Sequence, residues 1–172
     1  MEYVRIEQFF SYLAEINLMI LHNPNQVGTG KGTTAFVRFD EEMDDAIRSD
    51  FKKDGVLMQM SSISGSMTDT NYQQMDNFNV YIKLFGAANT AEDKRVMYNN
   101  CFKVCQQIKA WMQNEYDTNM CGTWSDIIKY WNNSSVSIRQ CFSHELGENF
   151  VGWEMGFQFS AVSIEHSNSY WD

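Results

Sequence analysis

Apolar residues fall at every odd position from Val151 to Ala161: Val151, Trp153, Met155, Phe157, Phe159 and Ala161. Gly152, Glu154, Gly156, Gln158 and Ser160 fill the gaps. Alternation with period two over this length predicts a β-strand with one buried face and one polar face. Phe78, Val80, Ile82 and Leu84 alternate with Asn77, Asn79, Tyr81 and Lys83 and predict a second half-buried strand. Val56–Ser62 reads as its hairpin partner, joined through a polar Ser/Gly/Thr/Asn stretch that ends at Tyr72. Val136–Phe142 predicts a strand before the last one, and Ala35–Phe39 a short one.

Two stretches carry the helical period. Ile6, Phe9, Leu13, Ile16 and Ile20 recur at spacings of three and four, predicting an amphipathic helix over residues 3–22. It is expected to stop at His22-Asn23-Pro24, because the residue before proline is pushed out of the α region. The stronger helix follows Gly86-Ala-Ala-Asn-Thr90, with Thr90 as N-cap and Glu92 and Asp93 in a first turn that favours negative charge. Its apolar face is Met97, Cys101, Val104, Ile108 and Trp111, widened by Cys105 and Met112. About 25 residues of helix span roughly 38 Å, enough to cross a sheet. Thr118–Trp131 reads as a turn and a short helix.

The order is α-β-β-α-β-β. It predicts an α+β fold, a mostly antiparallel sheet with helices packed on one face. No strand–helix–strand alternation recurs, which disfavours a doubly wound nucleotide-binding fold. The 172 residues, 44% of them hydrophobic and 15% aromatic, suit a single domain with a substantial core. Residues 25–54 and 61–72 read as extended loops or insertions and 163–172 as a C-terminal tail. Long unpatterned loops in a compact domain are usually either functional or disordered, and both insertions are read as inter-subunit contact segments. No apolar run is long enough for a membrane span, and the N-terminus lacks the basic-then-apolar pattern of a secretory signal.

A net charge of −9 makes a poor phosphate binder. It suits either solubility or a surface that lies close to nucleic acid without holding it. The run Asp40–Asp45 is the densest acidic stretch, and Glu41, Glu42, Asp44 and Asp45 are the candidates for such a surface.

Motifs of catalysis and metal binding fail on inspection. Gly28-Thr-Gly-Lys-Gly-Thr-Thr34 resembles a phosphate loop, but Gly30-Lys31 is followed by Gly32 and the position five before Gly30 is Asn25. His144-Glu-Leu-Gly-Glu148 has a glutamate where a zinc-protease helix needs its second histidine. The four cysteines, Cys101, Cys105, Cys121 and Cys141, form no Cys-x-x-Cys pair and read as small buried apolar residues. The chain is therefore read as non-enzymatic, with no cofactor and no metal. Tyr170 and Trp171, past the last strand, are candidate interface residues, as are Gly28 and Lys31 in the first insertion.

The block Asp76-Asn-Phe-Asn-Val-Tyr-Ile-Lys-Leu84, the helix through Arg95 to Trp111, and the ending Phe142-Ser-His-Glu-Leu-Gly-Glu-Asn-Phe-Val-Gly-Trp-Glu-Met-Gly-Phe-Gln-Phe159 together resemble a group of small virion proteins of tailed bacteriophages. These are the tail-terminator, tail-completion and neck-ring proteins. The resemblance covers residues 3–22 and 56–162; the stretch 25–54 departs from it. It implies helices on one side of a β-sheet and a homo-oligomeric ring, hexamer or dodecamer, at the head–tail junction. Genomic DNA passes through such a ring without sequence-specific binding, and other neck and tail proteins are its partners. The implied location is the virion, assembled in the host cytoplasm, with no membrane involved. The abundance of Asn, Met and Cys resembles phages of gut Bacteroidetes, including crAss-like ones. An alternative is an acidic dimeric chaperone of the type III secretion kind, built from a helix, three strands, a helix and two strands.

Overall fold

The structure, a computed structural model, describes residues 3–23, 25, 35–38, 55–70, 73–118, 122–142 and 149–162. In chain order these form α1 (Tyr3–Ile16), β1 (Phe36–Arg38), β2 (Leu57–Thr70), β3 (Gln73–Ala87), α2 (Ala91–Thr118), α3 (Ser125–Ile128), β4 (Ser137–Phe142) and β5 (Phe150–Val162). The five strands make one sheet in the order β1-β2-β3-β5-β4. Every pairing is antiparallel except β1 with β2. The fold is α+β with a mostly antiparallel open sheet.

Register explains which face is buried. Val80 pairs with Phe157, Ile82 with Met155 and Leu84 with Trp153, so these apolar residues share one face. α1 and α2 cover that face: Phe10 of α1 packs on Phe157 with ring centroids 5.3 Å apart, and Trp153 lies against Tyr98 and Phe102 of α2. The apolar face of β5 is expected to meet the long helix near Cys101, Val104 and Ile108; half-buried Trp153 does lie against α2, whereas the ring that buried Phe157 meets is Phe10 of α1. Cys101, Val104, Cys105, Ile108 and Met112 of α2 are buried in the same core.

The expected cap of α2 is present and reciprocal. Asp93 N–H donates to Thr90 Oγ1 at 3.1 Å and Thr90 N–H donates to the Asp93 carboxylate at 2.9 Å. This is a capping box with aspartate in the third position.

Two expectations need correction. Helix α1 ends at Ile16, six residues before the expected stop at His22. The Asn17 side chain accepts the Met19 N–H at 2.9 Å, an Asx turn that competes with helix continuation, and Leu21 takes a left-handed φ of 53°. Ile20 nevertheless remains buried, so the apolar period outlasts the helix that suggested it. Second, the stretch 61–72 is not an extended loop: β2 runs on to Thr70 and pairs with β3 as far as Thr70↔Gln73. Its serines carry no apolar signal. The hydrogen bonding of the β3 ladder holds them in strand, past a one-residue register shift between Met60 and Ser62.

Candidate subunit interface on the helical layer

α1 and α2 run antiparallel. Phe9 in the middle of α1 meets Trp111 and Trp124, with centroids at 6.2 and 5.6 Å, while Asn17, just past its end, donates from Nδ2 to Gln107 Oε1 at 3.0 Å. Between them lies a groove of about 240 Å³ lined by Leu13, Ile16, Asn17, Leu18, Gln107, Ile108 and Trp111. Its rim exposes large apolar side chains. Leu18 is 84% exposed, and Ile16 and Leu21 are also exposed. Three further contacts fix that rim: Leu21 N–H donates to the Asn17 carbonyl at 2.9 Å, His22 N–H to the Ala14 carbonyl at 3.2 Å, and Ala35 N–H to His22 Nδ1 at 3.3 Å. The acceptor role places the proton of neutral His22 on Nε2.

Beside the groove the half-buried rings of Tyr12, Trp111 and Trp124 gather, Tyr12 lying 6.1 and 5.4 Å from the two indoles. Arg5 stacks over Trp124 at 4.4 Å, bonds the Thr123 carbonyl and pairs with Asp126 at 3.0 Å. Its hydrogen bond holds the Asp126 carboxyl below the usual range. Surface Trp, Tyr and Arg beside exposed aliphatics are the composition of interface hot spots. Exposed apolar patches rimmed by polar residues mark protein, membrane or ligand contacts in general.

The opposite face of the sheet bears a transverse polar row in register: Gln59, Lys83, Glu154 and Arg139. Glu154 is buried and accepts from Arg139 at 2.7 Å through Nε and 2.6 Å through the terminal nitrogen. Gln59 is buried as well, and its Oε1 has no hydrogen-bond partner. On this face Gly156 is overlaid by the Tyr81 ring. The even positions of β5 are thus not the solvent face that alternation implies, because β5 lies inside the sheet between β3 and β4.

Two of the three described cysteines are buried as expected, and Cys141 is not. Cys101 and Cys105 are free and buried, and burial pushes the Cys105 thiol up to about 12 and the Cys101 thiol higher still. Cys141, partly exposed, is raised to about 11, again chiefly by desolvation. Among the described residues no group of three or more His, Cys, Asp or Glu side chains gathers to hold a metal ion, and no helix is long and apolar enough to cross a membrane.

Of the sequence candidates, Gly28, Lys31, Glu41, Glu42, Asp44, Asp45, Tyr170 and Trp171 lie outside the described residues, as do the 28–34 and 144–148 motifs and Cys121. The groove itself escaped sequence reading, since its two walls lie some 90 residues apart in the chain. The one legible signal was the run Ile16-Asn-Leu-Met-Ile-Leu21, more apolar than a single buried helix stripe needs. Comparison with protein-family models, with curated proteins and with solved structures returns no match for this chain.

Proposed function

We propose that this chain is a structural virion protein of a tailed bacteriophage. It forms a homo-oligomeric ring of tail-terminator or neck type that joins the head connector to the tail and passes DNA through its centre. The exposed apolar and aromatic band on the helical layer carries the reading, because it supplies the subunit contact that a ring requires. The layering of two helices on one face of a mostly antiparallel sheet agrees with it. The role is that of a passive gasket without catalysis, located in the virion.

The acidic run belongs to the same proposal. Glu41, Glu42, Asp44 and Asp45 approach the DNA conduit, where like charge weakens phosphate contact and a basic lumen would hold it. In a map of the assembled particle these side chains then line or border the hole. Lys or Arg lining the hole, with the acidic run turned to bulk solvent, would sink the conduit argument and leave the ring standing.

Measurement of mass in solution with negative-stain microscopy tests the whole reading, and rings with a central hole are the expected result. One observation favours the chaperone alternative: a helix, three strands, helices and two strands follow one another in this chain. That reading requires a compact dimer without a hole.

A further inference from the structure

We propose that the groove between α1 and α2 is one half of a two-fold contact between two copies of this chain. Leu18 of each copy enters the groove of the other, and Glu15 of each meets Lys103 of the other. This goes beyond the ring reading, since such a pair stands with or without a ring.

Knob and hole lie side by side on one face. Leu18 is the most exposed large apolar side chain among the described residues, at 84%. The backbone beneath it is fixed by Asn17. That residue takes the Met19 N–H on its side chain at 2.9 Å and the Ile20 and Leu21 N–H groups on its carbonyl at 3.0 and 2.9 Å. Its own amide is tied to Gln107 of α2. A leucine held out on a fixed turn loses little freedom on docking, which is the condition for an interface anchor. Beside it the groove of about 240 Å³ has apolar walls in Leu13, Ile16, Ile108 and Trp111. Clefts for small-molecule ligands run from roughly 300 to 1,000 Å³, so this one is scaled to side chains.

Charge selects a second copy as the occupant. At a net charge of −9 most surfaces of this chain repel another copy. The two exposed charges bordering the groove are opposite in sign and stand on opposite walls: Glu15 beside Ile16, and Lys103 one helical turn from Gln107. Glu115, one turn beyond Trp111, is half-buried and has an interaction of its own. Lys109, two positions on from Gln107, projects from another side of α2. Glu15 and Lys103 do not pair within one chain. Glu15 accepts from the Ser11 hydroxyl at 3.4 Å, and the Lys103 ammonium has no partner among the described residues. A two-fold axis along the α1–α2 seam sets α1 of each copy over α2 of the other. Each Leu18 then reaches the other copy's Gln107 and Trp111, each Glu15 faces the other copy's Lys103, and every contact is made twice. An anionic lipid surface would instead be opposed by the charge of the chain.

Charge reversal in the full-length chain tests the contact, because Glu15, Leu18 and Lys103 are all exposed and can be replaced without opening the core. By sedimentation velocity and native mass spectrometry the unmodified chain is expected to form pairs or larger even-numbered assemblies. Leu18→Asp should weaken the pair at least tenfold, and Glu15→Lys or Lys103→Glu alone at least several-fold. An equimolar mixture of the two single reversals should restore 1:1 pairs, since each reversed charge then meets its opposite in the other chain. Both reversals in one chain should restore pairing as well. A monomeric unmodified chain, or single reversals that assemble normally, would overturn the proposal. So would a mixture that stays dissociated while the double variant pairs, because Glu15 and Lys103 would then act within one chain. Rings that persist in Leu18→Asp would overturn the pairing and leave the ring reading intact, whereas pairs that obey the reversals but form no ring would uphold the pairing and count against the ring.

Discussion

The indole Nε1 of Trp153 donates a 3.0 Å hydrogen bond to the backbone carbonyl of Tyr98. The same ring lies 6.1 Å from Tyr98 at 77° and 5.3 Å from Phe102, so one side chain of β5 is bonded to α2 and gripped by it. A buried indole that lacked this acceptor would carry an unmet donor, as Trp131 Nε1 does.

Trp153→Phe keeps much of the packing and removes the donor. Stability should fall by about 1 kcal/mol, and Trp153→Ala should cost about 3–5 kcal/mol because the space between Tyr98 and Phe102 empties. Denaturant unfolding of both variants checks the ratio. Equal losses would show that the hydrogen bond, not the ring, holds the helix.

Phe157→Ala tests the other half of the same face. Phe157 is 2% exposed and stacks on Phe10, so a loss of about 3–5 kcal/mol is expected in urea melts. A loss under about 1 kcal/mol would mean that the buried face has been assigned wrongly.

Gly152 should be the least replaceable glycine on the sheet. A Cβ there would fall on the Leu84 carbonyl and 2.6 Å from Phe85 Cα, backbone atoms of the neighbouring strand that cannot step aside. Gly65→Ala, by contrast, meets nothing closer than 3.7 Å. Gly152→Ala should therefore abolish or strongly reduce soluble folded protein, while Gly65→Ala leaves the melting temperature nearly unchanged. Thermal melts of the pair, read by far-UV circular dichroism, decide it.

What the sequence revealed and what it hid follow from how far each signal is local. The α2 cap and apolar stripe, and the alternation of β3 and β5, are written in neighbouring residues, and those elements stand where expected. Residues 63–70 show no apolar alternation, since Ser64-Gly65-Ser66 and Asp69 interrupt the strand formers Ile63, Thr68 and Thr70; pairing with β3 supplies what the pattern does not. The end of α1 depends on one asparagine. Glu154 looked like a solvent residue because alternation cannot say that a strand will lie between two others. The groove required α1 and α2 to meet, which no local pattern encodes.

The salt bridge of Glu154 gives a prediction with a built-in control. Its side chain is 8% exposed while that of Arg139 is 75% exposed, so removal of the arginine leaves a nearly buried carboxylate with Lys83 across the strand. Arg139→Met should cost about 1.5–3 kcal/mol, the range for a lost hydrogen bond to a charged group. Combining it with Glu154→Gln should recover part of the loss, since the stranded charge is gone. Urea melts of the two variants provide the test, and a double variant weaker than Arg139→Met would show that Glu154 draws its stability from elsewhere.

The buried thiols make stability fall with pH in the alkaline range. Cys105 is raised to about 12 and Cys101 further, whereas an unfolded thiol titrates near about 8.5. Between those values the unfolded chain releases protons that the folded chain retains, so unfolding becomes more favourable as pH rises. The contribution is fully present below about pH 8.5 and is lost progressively as pH rises toward 12. Melting temperature should therefore be insensitive to these groups at pH 7–8 and should fall from pH 9 upward. Cys101→Ala/Cys105→Ala should flatten that fall while lowering stability at pH 7 through lost packing. Reactivity gives a second reading: in a short iodoacetamide pulse at pH 8, followed by peptide mass mapping, Cys101 and Cys105 should remain unlabelled until urea unfolds the chain. Cys141, partly exposed and raised only to about 11, should label slowly in the folded state. Rapid native labelling of Cys105 would mean that α2 leaves the sheet on the timescale of the pulse, and the core assigned to it would then be wrong.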